Sequence, residues 1–585
     1  MSTPSTPVAS IIIGGGVRNC TSSNGARNCP NAALDWDAIL DQDPAFSGLT
    51  MNDVVFDRDA IRSIPWCEIN ADNLARLATI PGSLLPTTER DQIHRRLSAH
   101  DLVGRRLPSP ELRDLVGVDL SNAQWAVVSQ CMAAASPDTS RKVELRTVRY
   151  LTDAYSKGIY ESVVQAARTC AGGATPRIGV ITAASDNPFE ETDINVHALR
   201  SAGAETVYVP LQGGLRKALD CGEEAFADLH YEAFANTHVE QPADQSCRRF
   251  PDYAAQLLTL ASDKGAPLDR LLESLDGLYF SGGDQARILE ALVTRDREGN
   301  FARPSKQLEI IRQRFAQGRL VIAGTSAGNH IQGGGRWKGR PVPMIGGGDS
   351  YPALVQGFAT GQGSAVETPG AARLYPYGGL GTFPWGVLDS HFSQRCREGR
   401  LARATLECGM DYGFGIDENT ALLVHRADAD GSTRMQVRGE GGVWVVEVRD
   451  VRRTPRVDHA LQADGFIAHY LHEGDHLRLQ ADGALQVELS PQRPPLASQA
   501  EVPAPEFHRI QEYESGQFAA LTAAMGRSGA ASAHGDTRHS QDGRTEQGHP
   551  PWAIRMTRTP TTVFRGDDRV VSYSGLQVAF GPLEL

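Results

Sequence analysis

Leu320-Val321-Ile322-Ala323-Gly324-Thr325-Ser326-Ala327-Gly328 decides the fold, because an apolar run enters Gly-x-Ser-x-Gly and so ends a strand on a serine at the head of a helix. A strand delivered through small residues into a helix is the repeating unit of an α/β sheet. Glycines at 324 and 328 tolerate the strained backbone of such an elbow and leave room beside the Ser326 hydroxyl for a carbonyl group. The same serine also reads as an ordinary helix N-cap. In a chain with 59 glycines among 585 residues the five-residue pattern needs support from elsewhere.

Upstream, Ser10-Ile11-Ile12-Ile13-Gly14-Gly15-Gly16 reads as a buried first strand, 10–16, that ends in a glycine turn. It is not a dinucleotide fingerprint, since the third glycine of G-x-G-x-x-G falls on Asn19. Residues 17–154 interrupt the rhythm with a polar loop and short amphipathic pieces at 35–40 and 91–97, and read as a helical insertion. The α/β core resumes over about 155–425. Tyr160, Val163, Val164 and Ala167 share one helical face, strands are expected at 177–182, 206–211, 277–280 and 319–323, and helices at 286–292 and 306–315. This alternation predicts an α/β fold, a three-layer sandwich with a mostly parallel sheet, whose ligands sit beyond the carboxyl ends of the strands. Gly14, 281–285 and Ser326 all fall there.

After Thr420 the pattern changes to short alternating segments with turns at Asp430-Gly431 and Asp482-Gly483, so 426–490 is expected to be antiparallel β and 1–490 one α/β domain. The proline-rich 491–505 reads as a linker, 527–551 as a flexible loop and 552–585 as a last β piece. Together 491–585 make a β-rich C-terminal extension.

A net charge of -12 argues against nucleic acid as the main partner and is compatible with a cationic substrate. Hydrophobic residues at 41% and charged residues at 22% place the chain among ordinary globular proteins. No run reaches the roughly 18 to 20 apolar residues of a membrane helix, and 1–10 lacks the features of a secretory signal, so no membrane partner and a cytoplasmic location are expected. Nine scattered cysteines without a CxxC fit reduced thiols, with a Cys20–Cys29 pair as the oxidised alternative. His472-Glu473-Gly474-Asp475-His476 matches H-E-x-x-H, but Gly474-Asp475 signals a hairpin, on which the two imidazoles do not converge. His534, His539 and His549 show no ligand spacing, and no metal or cofactor is expected.

A serine hydroxyl is a weak nucleophile at neutral pH, so Ser326 needs a base within hydrogen-bonding reach and a third group to orient that base. His391, in Leu388-Asp389-Ser390-His391-Phe392-Ser393-Gln394-Arg395, and Glu418, in Gly413-Phe414-Gly415-Ile416-Asp417-Glu418-Asn419-Thr420-Ala421, are the candidates. Each has a plainer reading. His391 alone reads as a satisfied buried histidine, Glu418 as a structural ion pair with Arg395 or Arg400, and Asp284 and Asp417 as turn caps. Arg395, Arg397, Arg400 and Arg403 read as a solvated helix face.

In their order along the chain, Phe280-Ser281-Gly282-Gly283-Asp284-Gln285, Gly324-Thr325-Ser326-Ala327-Gly328, Asp389-x-His391-Phe392-Ser393-Gln394-Arg395 and Gly415-Ile416-Asp417-Glu418-x-Thr420-Ala421 resemble the motifs of cyanophycinases, serine peptidases related to dipeptidase E. The resemblance covers 10–16 and 155–425 well and the insertion and C-terminal part poorly. It implies that Ser326 attacks, His391 carries the proton and Glu418 orients the imidazole, with the backbone N–H groups of Gly283 and Ala327 as oxyanion donors. Cyanophycin is a poly-aspartate backbone with arginine on each side-chain carboxyl, and the family releases β-Asp-Arg dipeptides from it. By the same resemblance Arg395 and Arg400 hold substrate carboxylates, Gln285 and Asp389 make polar contacts, and the protein is a homodimer. Ser390 stands where the family commonly has glutamine and Asn329 where alanine is usual, which puts substrate choice in doubt. The expected function is cyanophycin hydrolysis by a serine exopeptidase. The alternatives are a related peptidase for aspartyl dipeptides or other isopeptides, and a non-catalytic cyanophycin-binding protein.

Overall fold

The computed structural model describes residues 6–22, 34–43, 46–51, 54, 66–80, 82, 85–99, 101–120, 124–125, 128, 131–132, 143–185, 188–221, 250–360, 371–499, 501–512, 514–538 and 551–583. Within them the first strand, Val8–Ile13, is the pivot of the molecule. On one side it pairs in parallel with Val321–Thr325, after which Gly277–Phe280, Arg177–Ile181 and Glu205–Tyr208 continue the parallel sheet. On its other side Thr420–His425, Thr433–Gly439, His476–Leu479 and Leu485–Glu488 follow in antiparallel order.

Alternation along the pivot strand assigns its two faces. Ile11 and Ile13 pack with Ile159, Tyr160 and Val163 of the helix Ala154–Cys170, the face expected from the sequence. Ile12 points the other way, to Leu422, Val424 and Phe414. In the parallel half, Ile322 and Leu278 pack with Leu289, Leu308 and Ile311 from Gln285–Leu292 and Lys306–Ala316, so helices cover both faces there. In the antiparallel half a second sheet takes the place of one helical layer. Its strands run Val387–Asp389, Tyr412–Ile416, Gly442–Glu447, Ala463–His472, Val571–Pro582, Trp552–Gly566, Ser532–Asp536 and Glu506–Phe507, with Arg452–Arg453 beside Ala463–His472.

That second sheet does not stop near residue 490. Val571–Pro582 pairs antiparallel with Ala463–His472, and the shared core joins Trp444, Phe466 and Tyr470 to Tyr573, Val578 and Phe580. The region expected to be a flexible loop, 527–551, holds the strand Ser532–Asp536, which carries His534 and pairs with Trp552–Gly566. A run rich in Ser, Ala, Gly and His carries little strand propensity, so only pairing on both edges makes it a strand. The helix Gln517–Ser528 precedes it, unanticipated in a segment read as β-rich. His539 and His549 lie outside the described residues.

The insertion has a core of its own, in which Leu74, Leu77, Ile93, Leu97, Leu107 and Leu112 meet. Its helices Trp36–Gln42 and Thr87–Leu97 contain the amphipathic pieces expected at 35–40 and 91–97. Asp35 caps the first of these by accepting from Ala38 N at 3.0 Å. Among the described residues Cys67, Cys131, Cys170, Cys396 and Cys408 form no disulfide, whereas Cys20 is disulfide-bonded, which corrects the expectation of reduced thiols at that position. Cys29 lies outside the described residues. His472 ends one strand of a hairpin and His476 begins the next, with Asp475 N bonded to His472 O at 2.9 Å between them, so the H-E-x-x-H match spans a turn. Among the described residues no helix is long and apolar enough to cross a membrane.

Candidate active site

Ser326 follows Val321–Thr325 with φ 54° and ψ -110°, a strained elbow that lifts the side chain out of the strand. Both flanking glycines are obligatory on steric grounds. A Cβ at Gly324 would lie 2.1 Å from Gly328 O, and one at Gly328 would lie 2.2 Å from Phe280 O. The Ser326 hydroxyl makes no capping bond to the short helix Ala327–His330, contrary to the N-cap reading, and turns instead to His391.

Ser326 Oγ lies 2.8 Å from His391 Nε2, and His391 Nδ1 lies 2.6 Å from Glu418 Oε1. An alcohol, an imidazole and a carboxylate thus form one continuous chain of hydrogen bonds, brought together from the parallel sheet and from two loops of the second sheet. Glu418 pairs with the imidazole and not with Arg400. Burial lowers the His391 pKa most strongly, opposed by the Glu418 bond and reinforced by Arg395 and Arg397. Glu418 is lowered, first by its bond to His391. The resting state is therefore a neutral imidazole beside an ionised carboxylate, the form able to accept a proton from Ser326.

The glycine triplet after the first strand is the bed on which this chain lies. Ser326 N donates to Ile13 O at 3.1 Å, His391 N to Gly14 O at 2.8 Å and Asn419 N to Gly15 O at 2.7 Å. A Cβ at Gly15 would lie 2.3 Å from His391 Cε1, and one at Gly16 2.9 Å from Glu418 Oε2. Only glycine permits so close an approach, with φ +120° and +60° at the two positions. Sequence reasoning read the triplet as a turn and missed its contact with the imidazole, although its place at the carboxyl end of the central strand was a usable signal. It also missed Gln394, whose Oε1 accepts from Glu418 N at 3.0 Å.

Gly283 and Ala327 sit on the two loops that flank Ser326, and a Cβ at the intervening Gly282 would lie 3.2 Å from Ser326 Cβ. Gly283 has φ +130° and is pressed on Ala184 O. Among the described residues the N–H groups of Gly283 and Ala327 make no backbone hydrogen bond in the turns and loops. Asp284 caps Gln285–Leu292, accepting from Ala286 N at 2.8 Å.

The other residues expected to contact substrate divide into two sets. Arg395 is half-buried and close enough to influence both His391 and Glu418. Asp389 and Arg400 are 0% exposed and bind each other: Arg400 Nε donates to Asp389 Oδ2 at 2.8 Å and Nη2 to Oδ1 at 2.6 Å. Burial pushes the Asp389 carboxyl up, but Arg400 and Arg397 outweigh it and bring the pKa to about 2. Gln285 is also buried, and its Nε2 donates to Ile345 O at 2.8 Å. These three side chains are committed to partners within the protein, where the sequence reading had them facing substrate. The cluster read as a solvated helix face is likewise internal at Arg400 and Arg403. Motif position assigns a residue to a loop, whereas the burial of its tip depends on what packs over it.

The two departures from the family pattern belong to the same buried layer. Ser390 Oγ lies 3.0 Å from His330 Nε2, and Asn329 Nδ2 donates to Asp389 O at 3.3 Å. Burial lowers the His330 pKa to about 3 despite Asp389, so this imidazole is neutral. A second serine, histidine and glutamate trio exists in the other sheet, with His469 2.9 Å from both Ser574 Oγ and Glu447 Oε1. Ser574 lies within Val571–Pro582 at a break in the strand register, beside Gly575 with φ 75°, and its partner His469 Nδ1 also accepts from Gly575 N at 3.3 Å, so this imidazole nitrogen is shared with the backbone.

The chain is 33% identical over 212 residues to the cyanophycinases of Trichormus variabilis and of Nostoc sp., a span of 36% of this chain and 58% of theirs. It is 30% identical over 213 residues to the cyanophycinase of Synechococcus elongatus, 36% of this chain and 54% of that one. Over that span the chain is similar to cyanophycinases. The likeness spans little more than half the length of these curated relatives, and no protein-family model matches. Most of the chain lies beyond the matched span.

Proposed function

We propose that the protein is a serine-type peptidase that hydrolyses the aspartyl backbone of cyanophycin and releases β-Asp-Arg dipeptides. The observation that carries this reading is the unbroken Ser326, His391, Glu418 chain at 2.8 Å and 2.6 Å, supported by the likeness to proteins named cyanophycinase. In this reading His391 Nε2 takes the Ser326 proton as Oγ bonds to the scissile carbonyl carbon. The oxyanion is received by the N–H groups of Gly283 and Ala327, each such donor being worth about 100- to 1,000-fold in turnover. His391 then protonates the leaving amine, and an acyl ester remains on Ser326. Water, deprotonated by the same imidazole, cleaves the ester and restores the alcohol.

Arg395 is the cation proposed for a substrate carboxylate. Asp389 and Arg400 act from behind, tying the start of the His391 loop to the helix Glu398–Glu407. Because Ser390 and Asn329 are buried in that support, their departure from the family pattern bears on the loop's footing more than on a substrate-facing wall.

Incubation with insoluble cyanophycin and mass analysis of the supernatant tests the proposal. β-Asp-Arg is the expected product, and Ser326→Ala should lower its release by about 10⁴-fold or more with an unchanged thermal midpoint. Undiminished release by that variant removes the mechanism, and cleavage of short aspartyl dipeptides but not of the polymer replaces the substrate.

A further inference from the structure

Asp417 is 1% exposed, and among the described residues no cation pairs with its carboxylate, yet that carboxylate is fully engaged. Oδ1 accepts from Ser393 N at 2.9 Å and from Ser393 Oγ at 2.6 Å, and Oδ2 accepts from Gly442 N at 2.9 Å and from the Tyr470 hydroxyl. Ser393 lies two residues after His391, and Asp417 immediately precedes Glu418. The carboxylate therefore ties the loop that carries the imidazole to the loop that carries its acid. A single Cβ at Gly14 would lie 1.9 Å from Asp417 O, so the glycine bed is pressed on the same residue.

Three of those four bonds come from the two loops and the turn beside them. The fourth comes from Tyr470, on Ala463–His472, a strand that pairs with the C-terminal Val571–Pro582. Its ring is held against Gly442, where a Cβ would lie 2.5 Å away, and its partner across the strand pair, Trp444, stacks on Phe392 with centroids 5.3 Å apart. Phe392 directly follows His391. The second sheet thus grips the His391 loop at two successive residues.

We infer that Asp417 and Tyr470 are a positioning pair: Tyr470, presented by the antiparallel sheet, fixes the carboxylate that holds the His391 loop on the Glu418 loop, and so sets the bond between His391 and Glu418. The inference rests on the reading of Ser326, His391 and Glu418 as a reactive relay. Without the Tyr470 donor, a carboxylate that burial already pushes toward protonation loses a bond to its charged form and grips Ser393 less firmly. His391 is faced by Glu418, Arg395 and Arg397, with His330 beyond, and of these only Glu418 holds its charged form by a hydrogen bond. Loosening that bond lowers the imidazole pKa further, because the contribution that raises it is the one removed.

The test is the rate at which a fluorophosphonate labels Ser326 as a function of pH, in the full chain and in Tyr470→Phe, which keeps the ring. Labelling should fall about tenfold at its plateau, with the acid limb moved to lower pH by about half a unit. Tyr412→Phe is the control, since it deletes another buried hydroxyl of the same sheet, bonded to Gly483 O at 2.9 Å and not to Asp417. It should lower the thermal midpoint and leave the labelling profile in place. A Tyr470→Phe profile that superimposes on wild type overturns the inference while the relay stands, as does a Tyr412→Phe profile displaced equally. Failure of wild type to label at Ser326 overturns the relay and the inference with it.

Discussion

At the scale of single residues, the proposed chemistry rests on a neutral imidazole held by one carboxylate. Glu418→Gln keeps the shape of the acid and removes its charge, so it should cost about 10³- to 10⁴-fold in kcat with little change in KM, measured on the polymer or a soluble analogue. In the proposed mechanism His391 acts unprotonated, and its pKa is lowered by burial. Activity should therefore persist below the usual imidazole pKa of about 6.5 and be lost only as pH falls through the depressed value. Stability follows a separate histidine. His330 titrates near 3 in the fold, and an unfolded histidine near 6.5, so the unfolded chain binds the extra proton between these values and stability declines as pH falls through that window. His330→Gln should flatten that slope in thermal midpoints recorded from pH 7 to pH 4. Ser326, His391 and Glu418 were singled out by motifs that resemble those of a known family, each of which follows closely on an apolar strand. The same resemblance misled for Gln285, Asp389 and Arg400, since a polar residue in a motif looks the same whether it faces solvent or a buried partner.

At the scale of elements, the site is assembled by close approach of turns, and glycine is what allows it. The first strand supplies carbonyls from Ile13, Gly14 and Gly15 to three different segments. Gly15→Ala places a methyl group against the His391 ring at a φ that alanine avoids. It should lower kcat by about 100-fold or more by displacing the imidazole by a fraction of its bond length. Far-UV circular dichroism should be unchanged, because the strand itself packs through Ile11, Ile12 and Ile13. A Gly15→Ala enzyme of full activity would mean that the triplet is merely a turn. The alternation of the parallel half was legible because its inner strands are largely apolar runs, the edge strand Glu205–Tyr208 being more polar. Ser532–Asp536 was not, because its stability comes from the neighbours that pair with it.

At the scale of the whole molecule, the second sheet runs from Val387–Asp389, beside the His391 loop, to the last described strand, Val571–Pro582. A chain ended at residue 490 would leave Trp444, Phe466 and Tyr470 without Tyr573, Val578 and Phe580 over them. Burial of each such side chain stabilises by roughly 1.5–3 kcal/mol, which together approaches the whole stability of an ordinary domain. The truncated chain should be insoluble or bind a hydrophobic dye, and a soluble, active 1–490 fragment would show that the extension is dispensable.

By itself the sequence determined the α/β class and the strand-to-helix turn at Ser326, since hydrophobic periodicity is a local property of the chain, while His391 and Glu418 were singled out from other candidates through the resemblance to a known family. Tertiary structure alone decided that the C-terminal strands share a sheet with the His391 loop, that Asp389 and Arg400 satisfy each other, and that three glycines lie under the imidazole. Those outcomes depend on which distant surfaces meet, and the energy of a contact is invisible until both of its sides are in place.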